Sequence, residues 1–119
     1  MKEELKKDIR KNYDSLKVML AAQWLADEKN DNNYDIPLLT ILVKDAGEED
    51  TSAEQIFQVR IRKEEDRQEE FLVFGHSDGY ASSTENLDEK IDNLATMIET
   101  ITEGLLLKFP DSVLLYKWN

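Results

Sequence analysis

The sequence contains no cysteine, which excludes disulfides, thiolate metal ligands and a cysteine nucleophile. His76 is the single histidine, so a metal site that included it would need carboxylates as its other ligands. The four glycines are scattered and form no phosphate-binding loop. No apolar run approaches the ~18 residues of a membrane span, and the charged N-terminus lacks the apolar core of a secretory signal. We therefore expect no cofactor, no membrane association and a cytoplasmic location.

Acidic residues outnumber basic ones, and the imbalance is uneven along the chain. The formal net charge is −11 over 119 residues. Residues 1–26 carry six Lys/Arg against four Asp/Glu, whereas the remainder carries nine against twenty-two. A surface of this sign repels phosphate, so we expect no nucleic-acid partner. Plain solubility would explain the acidity, and the alternative is complementarity to a basic protein partner.

The strongest periodic pattern in the chain predicts an amphipathic helix at residues 84–108. Its apolar residues recur at spacings of three and four, as on one face of a helix: Leu87, Ile91, Leu94, Ile98, Ile101 and Leu105. Ser82 and Glu85 fit a capping box at its start. Since Leu105 stays in phase, we expect the helix to continue through Gly104 and to end near Lys108, before Pro110.

A second amphipathic helix is predicted at residues 2–26. Its apolar stripe has similar spacings of three and four: Leu5, Ile9, Tyr13, Leu16, Leu20 and Trp24. From Val18 to Leu25 the apolar arc broadens, so we expect the second half of this helix to be buried on two sides. Because the first helix is slightly basic and the second is acidic, we expect a weak attraction if they are neighbours.

Four strands are predicted, at residues 38–44, 55–63, 70–75 and 112–118. The second alternates cleanly, with Phe57, Val59 and Ile61 on one face. The first is apolar on both faces, which indicates an interior strand. Tyr80 is placed in a short extra strand, and residues 27–35 are rich in Asn and Asp, which favour turns.

These elements follow the order α-β-β-β-α-β within a single domain. Helices at the two ends of a three-strand meander indicate an α+β sandwich of two layers. We expect an antiparallel sheet of about four strands with both long helices packed on one face. The polar residues Gln58, Arg60 and Arg62 of the second strand indicate that the other face is at least partly solvated.

Two short motifs resemble functional sites only in composition. His76, Ser77 and Asp78 are the residue types of a hydrolase triad, but three consecutive residues cannot align for proton transfer. The run from Asp31 to Asp35 fits the first half of a calcium-binding loop. Its sixth position, which requires Gly, is Ile36, and its twelfth, which requires Glu, is Leu42, so no calcium site is predicted.

The candidate partner-binding residues lie mainly in two exposed runs of acidic residues. One run precedes the second strand and another follows it, and the turn-rich segment after the third strand adds two more titratable groups. Carboxylates in exposed loops have pKa values that are not readily perturbed, so we expect contacts rather than catalysis. The candidate residues are Glu48, Glu49, Asp50, Glu64, Glu65, Asp66, His76 and Asp78.

Three classes of function fit this sequence. The first, which we predict, is a small acidic non-enzymatic protein that binds a basic protein partner, as immunity proteins, inhibitors and assembly chaperones do. The second is a structural subunit of a phage, prophage or other assembly, and a homodimer is compatible with the apolar stripe from Leu87 to Leu105. The third is an enzyme with an unrecognised loop-borne site near His76 and Asp78.

Overall fold

The computed structural model describes residues 1–26, 33–64, 66–75 and 80–119, with only the backbone described for residues 24–26. Within these ranges, two helices and five strands form in the predicted order, and the extra strand at Tyr80 is present. They are α1 (Lys2–Ala26), β1 (Tyr34–Asp45), β2 (Glu54–Lys63), β3 (Glu70–Phe74), β4 (Tyr80–Ser83), α2 (Leu87–Lys108) and β5 (Ser112–Trp118). A 3-10 helix, Asp50–Ser52, lies between β1 and β2.

The five strands form one antiparallel sheet in the order β4-β3-β2-β1-β5. The predicted interior position of β1 is confirmed, since β1 pairs with both β2 and β5. It begins at Tyr34 rather than at the predicted Leu38, because residues 34–36 pair with the end of β2. The register shifts just after Pro37, whose nitrogen carries no hydrogen to donate to the ladder.

Both helices pack on the same face of the sheet, as predicted. Lys6 Nζ lies 3.0 Å from Asp92 Oδ1, and Arg10 Nη1 lies 2.9 Å from Asp88 Oδ1. The later residue of α1 pairs with the earlier residue of α2, so the two helices run antiparallel. Both ion pairs are open to solvent, so they contribute little to stability. The shared core contains buried side chains from both helices and from β1, β2 and β3.

The buried stripe of α2 departs from the predicted stripe at one position. Ile91, Leu94 and Ile98 are buried, but the next buried residue is Thr102, at 7% exposed, whereas Ile101 is 37% exposed. A straight helix has 3.6 residues per turn, so a contact line through residue 98 reaches 102 rather than 101. The prediction of Ile101 in the core is therefore wrong, while the continuation of the helix through Gly104 to Lys108 is confirmed.

The start of α2 also differs from the prediction. The helix begins at Leu87, and its N-cap is Asn86, which adopts a left-handed conformation with φ 53° and makes no side-chain capping bond. The predicted N-cap, Ser82, pairs with Leu72 in the sheet instead. The capping-box prediction is wrong because pairing at the edge of the sheet extends the strand to Ser83.

The second half of α1 is not buried on two sides. Val18 is 71% exposed, and Met19, Ala21 and Ala22 are exposed as well. Among the described side chains of α1, the stripe that includes Leu16 and Leu20 contacts the core, whereas the predicted burial of Trp24 and Leu25 falls outside the described side chains. For residues 18–23 the prediction is wrong because α1 lies on the sheet along a single line, so side chains a quarter-turn away point outward.

The helix-free face of the sheet carries both polar and apolar side chains and is not uniformly solvated. Arg60 Nη1 lies 2.5 Å from Asp35 Oδ2 on this face. Val73, which stands opposite Arg60 in the ladder, is fully buried. Within the described part of the chain, no helix combines the length and the hydrophobicity that a membrane crossing requires.

Candidate functional site

A groove of about 240 Å³ opens where the start of α1, the second half of α2 and β5 meet. Its apolar lining is provided by Met1, Leu5, Leu106 and Tyr116. Its polar lining consists of Thr102, whose hydroxyl donates to the backbone carbonyl of Glu99, and four carboxylates. The carboxylates belong to Glu4, Asp8, Glu99 and Glu103. We call this feature the acid-rimmed groove.

The four carboxylates of the acid-rimmed groove have no cationic partner among the described residues. Each basic side chain of α1 that pairs with α2 does so at Asp88 or Asp92, outside the groove. No Lys or Arg side chain contributes to the described groove lining. The groove therefore combines an apolar floor with four carboxylates that form no ion pair with a described side chain, which suits an aliphatic chain that ends in a cation.

The carboxylates of the groove occur in pairs spaced four residues apart on each helix. Glu4 and Asp8 form one pair, and Glu99 and Glu103 form the other. Like charges at this spacing are neighbours on a helix surface and destabilise it by about 0.2–0.5 kcal/mol per pair. Sequence reasoning missed these residues, although two such repulsive pairs within predicted helices were a signal that could have found them.

A second groove, of about 380 Å³, lies on the other side of Leu106. It is bounded by the end of α2, the β1–β2 connection and the start of β5. Phe109, which is half exposed, and Leu114 contribute apolar surface, and Glu48 contributes a carboxylate. Since Leu106 lines both grooves, this leucine separates them above β5.

A buried polar cluster joins α1 to the sheet around Glu70, which is 8% exposed. The hydroxyl of Tyr13 donates to Glu70 Oε1, and the hydroxyl of Tyr34 donates to Glu70 Oε2. Lys17 Nζ, on α1, lies 2.5 Å from the same Oε2. We call these four residues the Glu70 cluster. Each of the two carboxylate oxygens of Glu70 accepts at least one hydrogen bond. Among the described residues, no buried side-chain polar atom lacks a hydrogen-bond partner.

The pKa values of the Glu70 cluster follow from burial and hydrogen bonding. Burial raises the pKa of the Glu70 carboxyl, but the three hydrogen bonds it accepts outweigh burial and hold the pKa below its ordinary value. Burial, reinforced by the bond to Glu70, raises the pKa of Tyr13 and Tyr34 far above the ordinary tyrosine value. Glu70 is therefore ionised and both tyrosines are neutral at pH 7, which makes the cluster a fixed contact between α1 and the sheet.

Sequence reasoning missed the Glu70 cluster, although one signal pointed to it. Glu70 shares a strand face with Leu72 and Phe74, both of which are buried. A carboxylate on an inward face requires donors, because an unpaired buried charge is costly. The donors come from positions far away in sequence, and only the fold brings them together.

The predicted acidic runs lie at opposite ends of β2 and do not form one surface. Glu48, Glu49 and Asp50 are exposed in the β1–β2 connection, where Asp50 Oδ1 is 2.8 Å from Lys44 Nζ. Glu64 and Asp66 are exposed in the β2–β3 connection. The ten residues of β2 separate the two runs by about 30 Å. The other three candidates, Glu65, His76 and Asp78, lie outside the described residues.

Among the described residues, no group of three or more His, Cys, Asp or Glu side chains is arranged to hold a metal ion. Asp31, the first position of the calcium-like run, lies outside the described residues. Asp35, which lies in β1, forms an ion pair with Arg60 of β2. Comparison with protein-family models, curated proteins and solved structures found no match.

Proposed function

We propose that this chain is a non-enzymatic protein that acts by binding a basic protein partner, as an immunity protein, an inhibitor or an assembly chaperone does. The observation that supports the proposal is the acid-rimmed groove, where Leu106 and Tyr116 are each 40% exposed beneath four carboxylates. Exposed apolar patches mark protein-binding surfaces, and charge of one sign beside them favours a partner of the opposite sign.

The repulsion within the groove supports the same proposal. Glu99 and Glu103 are like charges at helical spacing, and no Lys or Arg lies beside them in the described groove lining. The free chain therefore carries a small cost that a bound Lys or Arg would remove. Retention of destabilising groups is common at binding sites, where function and stability compete. The acidic run from Glu48 to Asp50 would extend the attraction at longer range and increase the rate of encounter.

Selection from a random dodecapeptide library on immobilised protein tests this proposal. We expect enrichment of peptides that combine Lys or Arg with apolar residues, and we expect their affinity to fall as salt is raised, because exposed charges are screened. The double variant Glu99→Lys, Glu103→Lys should abolish the enrichment.

The matched control is the double variant Glu85→Lys, Glu89→Lys. Both residues are exposed near the start of α2, and the substitutions change the net charge by the same amount away from the groove. We expect this variant to select the same class of peptide as the unmodified chain. No enrichment, enrichment of neutral or acidic peptides, or equal losses in both double variants would contradict the proposal.

A further inference from the structure

The edge of the sheet at β5 has few of the features that normally protect an exposed strand. In the described part of the chain no strand pairs with its outer side, since β5 is the last strand of the sheet. It is seven residues long, it contains a single charged residue, Lys117, and its pairing with β1 runs without a register shift. Proteins usually shield such edges with lysines and other charges, proline, bulges or very short strands, and of these β5 has only Lys117. The opposite edge follows that rule, because β4 has only four residues.

The backbone groups that face outward can be assigned from the ladder between β5 and β1. Asn119 N donates to Leu38 O at 3.1 Å, and Ala46 N donates to Asp111 O at 2.8 Å. Hydrogen-bonded and non-hydrogen-bonded pairs alternate along an antiparallel ladder. The odd-numbered residues of β5 therefore bond to β1, and the N–H and C=O groups of Leu114 and Tyr116 point away from the sheet.

The outward edge of β5 borders the acid-rimmed groove. Tyr116 lines the groove with its side chain while its backbone lies at the edge, and Leu106 lies above the same strand. A strand added beside β5 would place alternate side chains on the helix side, toward Leu106 and the carboxylates of Glu99 and Glu103. Its remaining side chains would lie beside Val113 and Leu115, on the helix-free face.

We infer that the partner binds through an extended segment that adds a sixth strand to the sheet at β5, with basic residues facing the acid-rimmed groove and apolar residues between them. Backbone pairing provides affinity in this mode of recognition, and alternate side chains provide specificity. Lysine and arginine suit the helix side because their aliphatic stems cover Leu106 and Tyr116 while the cation reaches the carboxylates. This inference rests on the proposed function and specifies how the partner is held.

Charge argues against a second copy of this chain as the occupant. A second copy would bring another net charge of −11 and the same four groove carboxylates to the junction. Juxtaposed like charges disfavour association. A basic segment instead neutralises the groove while it pairs with Leu114 and Tyr116.

The test uses a seven-residue peptide that alternates lysine and valine, acetylated and amidated at its ends, with binding measured by fluorescence anisotropy at low salt. A second peptide has the same side chains but is N-methylated at every residue, so it cannot donate to the strand edge. A third replaces every lysine with glutamate. We expect the first peptide to bind and the N-methylated peptide to bind at least about tenfold more weakly, because several backbone hydrogen bonds are lost. The glutamate peptide should not bind.

Two protein variants test whether the bound peptide lies at this edge. Glu99→Lys, Glu103→Lys should weaken the lysine–valine peptide at least about tenfold, because two attractive contacts become repulsive. Glu85→Lys, Glu89→Lys, with the same change in net charge, should weaken it much less. Equal weakening by both variants would show general charge attraction and would overturn the inference.

The remaining outcomes separate this inference from the proposed function. If the N-methylated and unmodified peptides bind equally, strand addition is refuted while recognition of basic segments stands. If the random library selects basic peptides but neither the unmodified nor the N-methylated lysine–valine peptide binds, binding of an extended segment at β5 is again refuted. If the library selects nothing, the proposed function itself fails. A dimer of the free chain in light scattering, with the amides of Leu114 and Tyr116 already protected from exchange, would assign the edge to a second copy.

Discussion

Replacing Glu70 with glutamine tests how strongly the Glu70 cluster stabilises the contact between α1 and the sheet. Hydrogen bonds to a charged group contribute about 1.5–3 kcal/mol each, and removal of one partner of a buried ion pair costs about 3–5 kcal/mol. Lys17 is about one-third exposed, so its share is reduced by solvent screening. Glutamine also keeps one acceptor oxygen. We therefore expect Glu70→Gln to lower the free energy of unfolding by about 2–4 kcal/mol.

Urea unfolding followed by circular dichroism measures this change, with Glu69→Gln as the matched control. Glu69 is the exposed neighbour of Glu70 in sequence, so its substitution should change stability by about 0.5 kcal/mol or less. The slope of the free energy against urea should stay the same in both variants, which shows that the change lies in stability. Equal midpoints for Glu70→Gln and Glu69→Gln would refute the reasoning.

The pH dependence of stability provides a second measurement on the same cluster. The pKa of Glu70 is lower in the folded chain than its ordinary value of 4.5, so the stability that its carboxylate provides is complete above that value. That stability is lost as the pH falls through the folded pKa. The difference in unfolding free energy between the unmodified chain and Glu70→Gln should therefore shrink in acid. A difference that stays constant from pH 7 to pH 2 would contradict the lowered pKa.

Four further variants test the helices by urea unfolding. Ile98→Ala should lower the free energy of unfolding by about 2–5 kcal/mol because Ile98 is fully buried. Ile101→Ala should lower it by about 1 kcal/mol or less, because Ile101 is partly exposed. A larger loss for Ile101→Ala than for Ile98→Ala would contradict the observed stripe of α2. Gly104→Ala should stabilise the chain by about 0.5–1 kcal/mol, since a Cβ there contacts nothing and Gly104 is helical; destabilisation would show that the helix does not continue. Glu99→Gln with Glu103→Gln should stabilise the free chain by about 0.2–0.5 kcal/mol, and a loss of stability would show that the repulsion is already neutralised.

The sequence predicted those parts of the fold that depend on local periodicity. The alternation of Phe57, Val59 and Ile61 identified the buried face of β2, and the apolar character of β1 on both faces identified it as an interior strand. Both helices were predicted because each has apolar residues at spacings of three and four along the sequence. Their packing on one face followed from the order of the elements and is confirmed.

What the sequence did not predict depends on contacts between distant elements. Ser82 fits a capping box by its local sequence, but pairing with Leu72 makes it part of a strand. The donors of the Glu70 cluster come from α1 and β1, and nothing in the local sequence around Glu70 specifies them. The acid-rimmed groove likewise requires α1, α2 and β5 together. Local patterns could show that Glu99 and Glu103 repel each other, but not that Tyr116 lies beside them.

Hydrogen exchange measured by NMR tests the central claim most directly. In the free chain, the amides of Leu114 and Tyr116 should exchange rapidly, whereas that of Leu115, which bonds to β1, should be protected. Addition of the lysine–valine peptide to saturation should protect Leu114 and Tyr116 and leave β4 unchanged. If these two amides exchange as rapidly in the saturated complex as in the free chain, the partner does not bind at the edge of β5.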